Sequence, residues 1–141
     1  MKKLLVILMT IFSLAAVASG KSHDVFGTMY YARTGDHTAS GDRIVPTKVK
    51  SGEHRWVALS LDLYRAGYRF GDTIIVTSET NPYVNGYWVV KDKMAGRKKI
   101  DFLVHRSDAR KFRNGRVTIR KADDSDLMEV KSGELIVKND D

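Results

Sequence analysis

Six short runs rich in valine, isoleucine, tyrosine and tryptophan, each bounded by glycine, aspartate or asparagine, set the limits on what this chain can fold into. They are Val25 to Tyr31, Trp56 to Leu59, Thr73 to Thr77, Tyr87 to Val90, Ile100 to Val104 and Val117 to Arg120. β-Branched and aromatic side chains suit a pleated, half-buried surface, so each run predicts a strand. Six strands within about a hundred residues predict a mainly β fold, a small six-stranded barrel. Asn85-Gly86 before Tyr-Trp-Val-Val predicts a hairpin whose first strand is Thr73 to Thr77. Two short helices are expected: Leu59 to Gly67, closed by Gly67, and Ser107 to Phe112, with Ser107 as N-cap.

The first twenty residues predict the compartment. Lys2 and Lys3 precede an apolar stretch from Leu4 to about Phe12 and a small-residue region ending at Ser19-Gly20. That is the pattern of a secretory signal peptide over 1–20, cleaved near Ala18 or Gly20. The stretch is short of the roughly 18 apolar residues of a spanning helix, so no stable membrane anchor is expected. The remainder reads as one domain over 21–121, followed by 122–141 as either a hairpin or a loosely held tail. There is no cysteine, so neither a disulfide nor a lipid-modified cysteine is available.

The formal net charge is +7, or about +5 once Lys2 and Lys3 are removed. A basic exported chain invites an anionic partner, with peptidoglycan or a related anionic polysaccharide foremost. Nucleic acid is not expected, because the chain has no basic-aromatic motif.

Chemistry is sought between Tyr87 and Val104. Asp92 ends one apolar strand and Asp101 opens the next, with Lys-Met-Ala-Gly-Arg-Lys-Lys-Ile between them. This arrangement predicts both acids at one edge of a sheet, and paired carboxylates are the raw material of acid/base work on glycosidic bonds.

The order of several short segments carries a resemblance. It runs through Gly27-Thr-Met-Tyr-Tyr-Ala32, Thr38-Ala-Ser-Gly41, Phe70-Gly-Asp-Thr-Ile-Ile-Val76, Val89-Val-Lys-Asp92, Lys99-Ile-Asp101, Asp108-Ala-Arg-Lys-Phe112 and Gly115-Arg-Val-Thr-Ile119. Over roughly 25–121 the chain resembles the double-psi β-barrel group that includes the rare lipoprotein A-like and three-aspartate (3D) domains of exported cell-wall proteins. The resemblance implies a six-stranded barrel with a shallow groove shared by the 38–41 loop and Asp92. It also implies action on peptidoglycan glycan strands as a lytic transglycosylase, with Asp92 and Asp101 matching the family's aspartates. The chain departs from the family after Asp92, where Lys-Met-Ala-Gly replaces a Gly-rich or Arg-Gly-Pro turn. Ser60 stands at an earlier polar position of the groove, with Asp62 close by.

A lytic transglycosylase can work with one carboxyl group, protonated first and then acting as base. Asp92 would need burial against neighbours such as Trp88, Tyr87 or Met94, or repulsion from Asp101, to hold its proton. Lys91, Lys93, Arg97, Lys98 and Lys99 push the other way unless they point elsewhere. Ordinary hydrolysis would instead make Asp92 and Asp101 an acid and base pair. Strand-end aspartates also simply cap turns, and Asp101 could orient Asp92 or tie down the Thr38 loop. Candidate substrate contacts are Tyr31, Thr38, Ser40, Ser60 and Lys91. Of Tyr30 and Tyr31, alternation predicts one facing the core and one the surface, while Trp88 reads as core. The four histidines show no ligand spacing, so neither metal nor cofactor is expected.

The rival class is a non-catalytic, expansin-like module that binds glycan or loosens the wall without breaking a bond. A third reading, an inhibitor or assembly factor with a protein partner, depends on 122–138 forming an exposed strand edge.

Overall fold

The computed structural model describes residues 21–112 and 114–133. The expected signal peptide over 1–20 and the end of the expected tail, 134–141, lie outside the described residues. All six expected strands form: β1 (His23–Tyr31), β2 (Trp56–Ser60), β3 (Thr73–Thr77), β4 (Gly86–Met94), β5 (Lys99–Val104) and β6 (Arg116–Lys121). They close into a barrel in the order β1-β5-β2-β4-β3-β6, with β6 pairing back onto β1.

Two of the six pairings are parallel, β1 with β5 and β2 with β4; the others are antiparallel. The expected hairpin is present, with Val76 opposite Gly86. The link from β4 to β5 is different. Residues 95–98 do not make a hairpin, because β2 lies between the two strands they join. Gly96 and Lys98 adopt positive φ, 97° and 50°, within this crossing. Lys98 is held there by its N–H to Asp62 Oδ2 at 3.0 Å and by its carbonyl, which accepts the Phe26 N–H at 2.7 Å.

Alternation decides what fills the barrel. Val25, Val57, Leu59, Ile74, Val76, Val90, Ile100, Phe102, Val117 and Ile119 point inward and are buried, as is Trp88, whose indole N–H donates to Val84 O at 2.8 Å. Each such side chain contributes about 1.5–3 kcal/mol by leaving water. A second apolar cluster lies outside the barrel, where α1 (Pro46–Lys50) covers Trp56 and Leu103 with Ile44 and Val49. This cover buries Trp56, the first of the five residues of β2, all of which are buried. Pro46 opens α1 at a position where a missing N–H costs nothing.

Three local expectations are corrected. The first helix is shorter than expected, α2 (Leu61–Arg65), although Gly67 does close it with φ 118°. Ser107 to Phe112 is no helix: a 3₁₀ turn spans Arg106–Asp108, its N-cap is His105 rather than Ser107, and Ala109 is extended. Phe112 is drawn instead against Phe102, ring centroids 5.8 Å apart. Finally, residues 124–132 form neither hairpin nor tail but α3 (Asp124–Ser132). Its start is fixed by a reciprocal capping box between Asp123 and Asp126, and Arg120 holds Asp126 through two hydrogen bonds. Among the described residues this segment is helix rather than strand, which withdraws support from the protein-partner reading; 134–138 lie outside the described residues.

Candidate functional site

The parallel pair β2–β4 contains a register shift. Val57 pairs with Val90, but the next residue, Ala58, pairs with Asp92, so Lys91 is the extra residue of a bulge. Without that shift the period of two would turn Asp92 inward beside Val90. With it, Lys91 and Asp92 both reach the outer face. On the far side of β2, Ala58 pairs with Asp101, and Asp101 pairs with Thr28 of β1. The four strands therefore carry one row across the outside of the barrel: Thr28, Asp101, Ala58, Asp92.

The two acids do come together, but not as neighbours at a sheet edge. A closed barrel has no edge, β4 runs two residues past Asp92 to Met94, and Ala58 separates the carboxylates by two strand spacings, about 10 Å between backbones.

Their environments differ. Asp92 is occupied as an acceptor: Oδ1 takes the N–H of Ala39 at 2.8 Å and of Lys93 at 2.9 Å, and Oδ2 takes the Tyr30 hydroxyl at 3.4 Å. Tyr64 donates to its backbone carbonyl at 2.5 Å. It is thus Asp92, not Asp101, that ties down the 38–41 loop. Asp101 accepts one side-chain hydrogen bond, from Thr28 Oγ1 at 2.9 Å. Burial pushes its carboxyl above the ordinary range; the Thr28 bond opposes this and the charge of Asp92 adds to it. Tyr30 lies between both acids, and burial with the two carboxylates drives its phenol far above its usual range, so it stays a neutral donor.

Two of the cations that could oppose acid behaviour, Lys91 and Lys93, are engaged elsewhere. Lys91 pairs with Asp42 at 3.1 Å and lies 5.5 Å from the Trp56 ring centre. Lys93 lies over the rings of Tyr64 and Phe70.

The expected substrate contacts divide. Thr38 is buried, and with Ser40 it shapes the loop: Thr38 Oγ1 and Ser40 Oγ are 2.8 Å apart, and Ser40 donates to Asp42 Oδ2 at 2.5 Å. The Ser40 bond, then Lys91, lowers the Asp42 carboxyl below its ordinary value. Ser60 is fully buried and accepts the Lys99 N–H at 3.0 Å, which removes it from the groove. Asp62 is turned to Lys98. Tyr31 is 44% exposed and lies with Thr28 beside an open depression of about 430 Å³ bounded by residues 109–112. Trp88 is core, as expected. Thr28 was missed in the sequence, and Tyr30 was weighed only as the alternative to Tyr31; their alternation with Gly27 and Met29 in β1 was the available signal, since positions 28 and 30 share a face.

No family model matches the sequence, and no curated protein matches it. Similar solved structures include two of an expansin. One is the apo form of an expansin from Clavibacter michiganensis, at 18% identity and a TM-score of 0.49. The other is a mutant Clavibacter michiganensis expansin in complex with cellohexaose, at 17% identity and a TM-score of 0.51. Each match covers 74% of this chain and 52% of the other. The fold is an expansin-like double-psi β-barrel. The chain spans about half the length of the solved structures it matches.

Proposed function

We propose that this chain is an exported cell-wall module that binds polysaccharide along the face carrying Thr28, Tyr30, Asp101 and Asp92, without cutting it. The observation that carries this reading is the division of labour between the two acids. Asp92 spends both oxygens on Tyr30 and on two backbone N–H groups, so it serves as the clamp of the 38–41 loop rather than as a base. That leaves Asp101 as the one acid available to a ligand, beside the hydroxyls of Thr28 and Tyr30, which suit sugar hydroxyl groups. The cellohexaose bound by the expansin neighbour supports an extended glycan as ligand class. Peptidoglycan and related anionic polysaccharides remain the preferred partners on charge.

One observation favours a second reading, a lytic transglycosylase. Asp101 is raised by burial, and such an enzyme needs a single carboxyl that holds its proton. On that reading the acid is Asp101, and Asp92 only positions the loop.

Incubation of the chain with purified peptidoglycan and, separately, with cellulose distinguishes the two. Co-sedimentation without soluble sugar products supports the binding module. Anhydro-muramyl products that vanish in Asp101→Asn establish the enzyme. Failure to sediment with either polymer overturns both.

A further inference from the structure

A second concavity opens at the end of the barrel where β2 begins and β5 finishes. It encloses about 320 Å³, within the range of about 300–1,000 Å³ common for small-molecule sites. Its ionisable lining is one-sided: Lys50, Arg55 and Arg110, with His54 and His105, against the single acid Asp108. Asp108 is already neutralised by Lys50 Nζ at 2.8 Å.

Arg55 is the telling residue. Its guanidinium sits 4.1 Å from the Trp88 ring centre, and it donates from Nε to Tyr87 O at 2.9 Å and from Nη2 to Asn85 O at 3.4 Å. No carboxylate pairs with it among the described residues, and burial lowers its pKa to about 10. A guanidinium withdrawn from water without a counter-charge is costly, and an anion entering the cavity would offset that cost. Beside it His54, stacked on Trp56 at 4.0 Å, has a buried Nδ1 with no hydrogen-bond partner among the described residues. His105 Nδ1 is occupied by Ser107, which leaves its Nε2. Arg110 lies over the Tyr83 ring at 5.3 Å. Apolar walls from Met29, Trp88 and Leu103 complete a surface suited to the C–H face of a sugar ring.

We propose that this cavity is a binding site for the carboxylate of an acidic sugar unit, with Arg55 and Arg110 as the anion-binding groups. A planar carboxylate matches the planar donor array of arginine better than a neutral sugar does. His105, just past the end of β5, lies four residues along the chain from Asp101, about 13 Å at strand rise, so the site is separate from the carboxylate row. The inference stands on the cavity's own charges and does not depend on whether that row binds or cuts a polymer.

The test is calorimetric titration of the full chain with trigalacturonate and with N-acetylmuramic acid, each against its methyl ester, at low and high salt. Binding of either acid, with at least tenfold weaker binding of its methyl ester, supports the site, and the tighter of the two acids identifies the source of the carboxylate. Arg110→Gln, an exposed position, is expected to weaken that binding about tenfold, and Arg55→Gln further. Thermal unfolding of both variants separates lost binding from lost fold. Equal affinity for acid and ester, no binding of either acid, or affinity unchanged in the folded Arg110→Gln chain overturns the proposal.

Discussion

Asp92 and Asp101 face one another across a single residue: both pair with Ala58, from opposite sides of β2. Neither acid is placed by its own strand alone. The bulge at Lys91 turns Asp92 outward, and the crossing at 95–98 carries the chain over β2 so that β5 can return antiparallel to it. The site is a consequence of register.

Asp101 is destabilising in its charged form. Its carboxyl is raised above the unfolded value, so at this group the folded chain binds more protons, and the contribution of Asp101 to stability is most favourable at acid pH and falls as pH rises through the folded pKa. Asp101→Asn is therefore expected to unfold at higher denaturant than the parent at pH 7, with the difference shrinking at acid pH. Chemical denaturation across pH checks this; equal midpoints at all pH values contradict it.

Thr28→Val removes the hydrogen bond that opposes the rise. The Asp101 carboxyl should then titrate at still higher pH. Carbon-detected NMR titration of the two chains reads the direction, and a shift downward contradicts the pairing.

Asp92→Ala should loosen the 38–41 loop. It takes the acceptor from the exposed Ala39 and Lys93 N–H groups, which water then solvates, at a cost of about 0.5–1.5 kcal/mol. Hydrogen exchange at Ala39 is expected to accelerate, while amides of the barrel core such as Val57 and Ile119 change in step with global stability only.

Arg120 and Asp126 tie α3 to the barrel. The Arg120 hydrogen bond, acting against burial, pulls the Asp126 carboxyl down to about 2, so this stabilisation is present above the ordinary aspartate range and is lost as pH falls through about 2. Asp126→Asn should cost about 2 kcal/mol at pH 7 and flatten the acid limb of the stability curve. A curve of unchanged shape speaks against the pairing.

Much of the barrel was legible because its signals are local. Alternating apolar runs marked every strand, and Asn85-Gly86 marked the hairpin. What was hidden depends on pairing between distant strands. Nothing near Asp92 in sequence announces that Ala58 will skip Lys91, and nothing in 95–98 says that the link crosses a strand instead of turning back. The same limit explains Ser60, a polar residue that reads as groove lining until Lys99 N–H is found on its hydroxyl. Asp123 and Asp126 carried a capping signal for α3 that the acidic composition of the segment obscured. The loop clamp, one of the alternatives weighed for Asp101, falls to Asp92, because only the fold shows which acid the Ala39 N–H reaches.

The most direct test of the binding face is a titration of the isotope-labelled chain with cellohexaose and with soluble peptidoglycan fragments, followed by amide NMR. The account predicts that shifts concentrate at Thr28, Tyr30, Ala39, Asp92 and Asp101 with at least one of these ligands, and that Asp101→Asn abolishes them. Perturbations that avoid this row, or that persist unchanged in Asp101→Asn, contradict it.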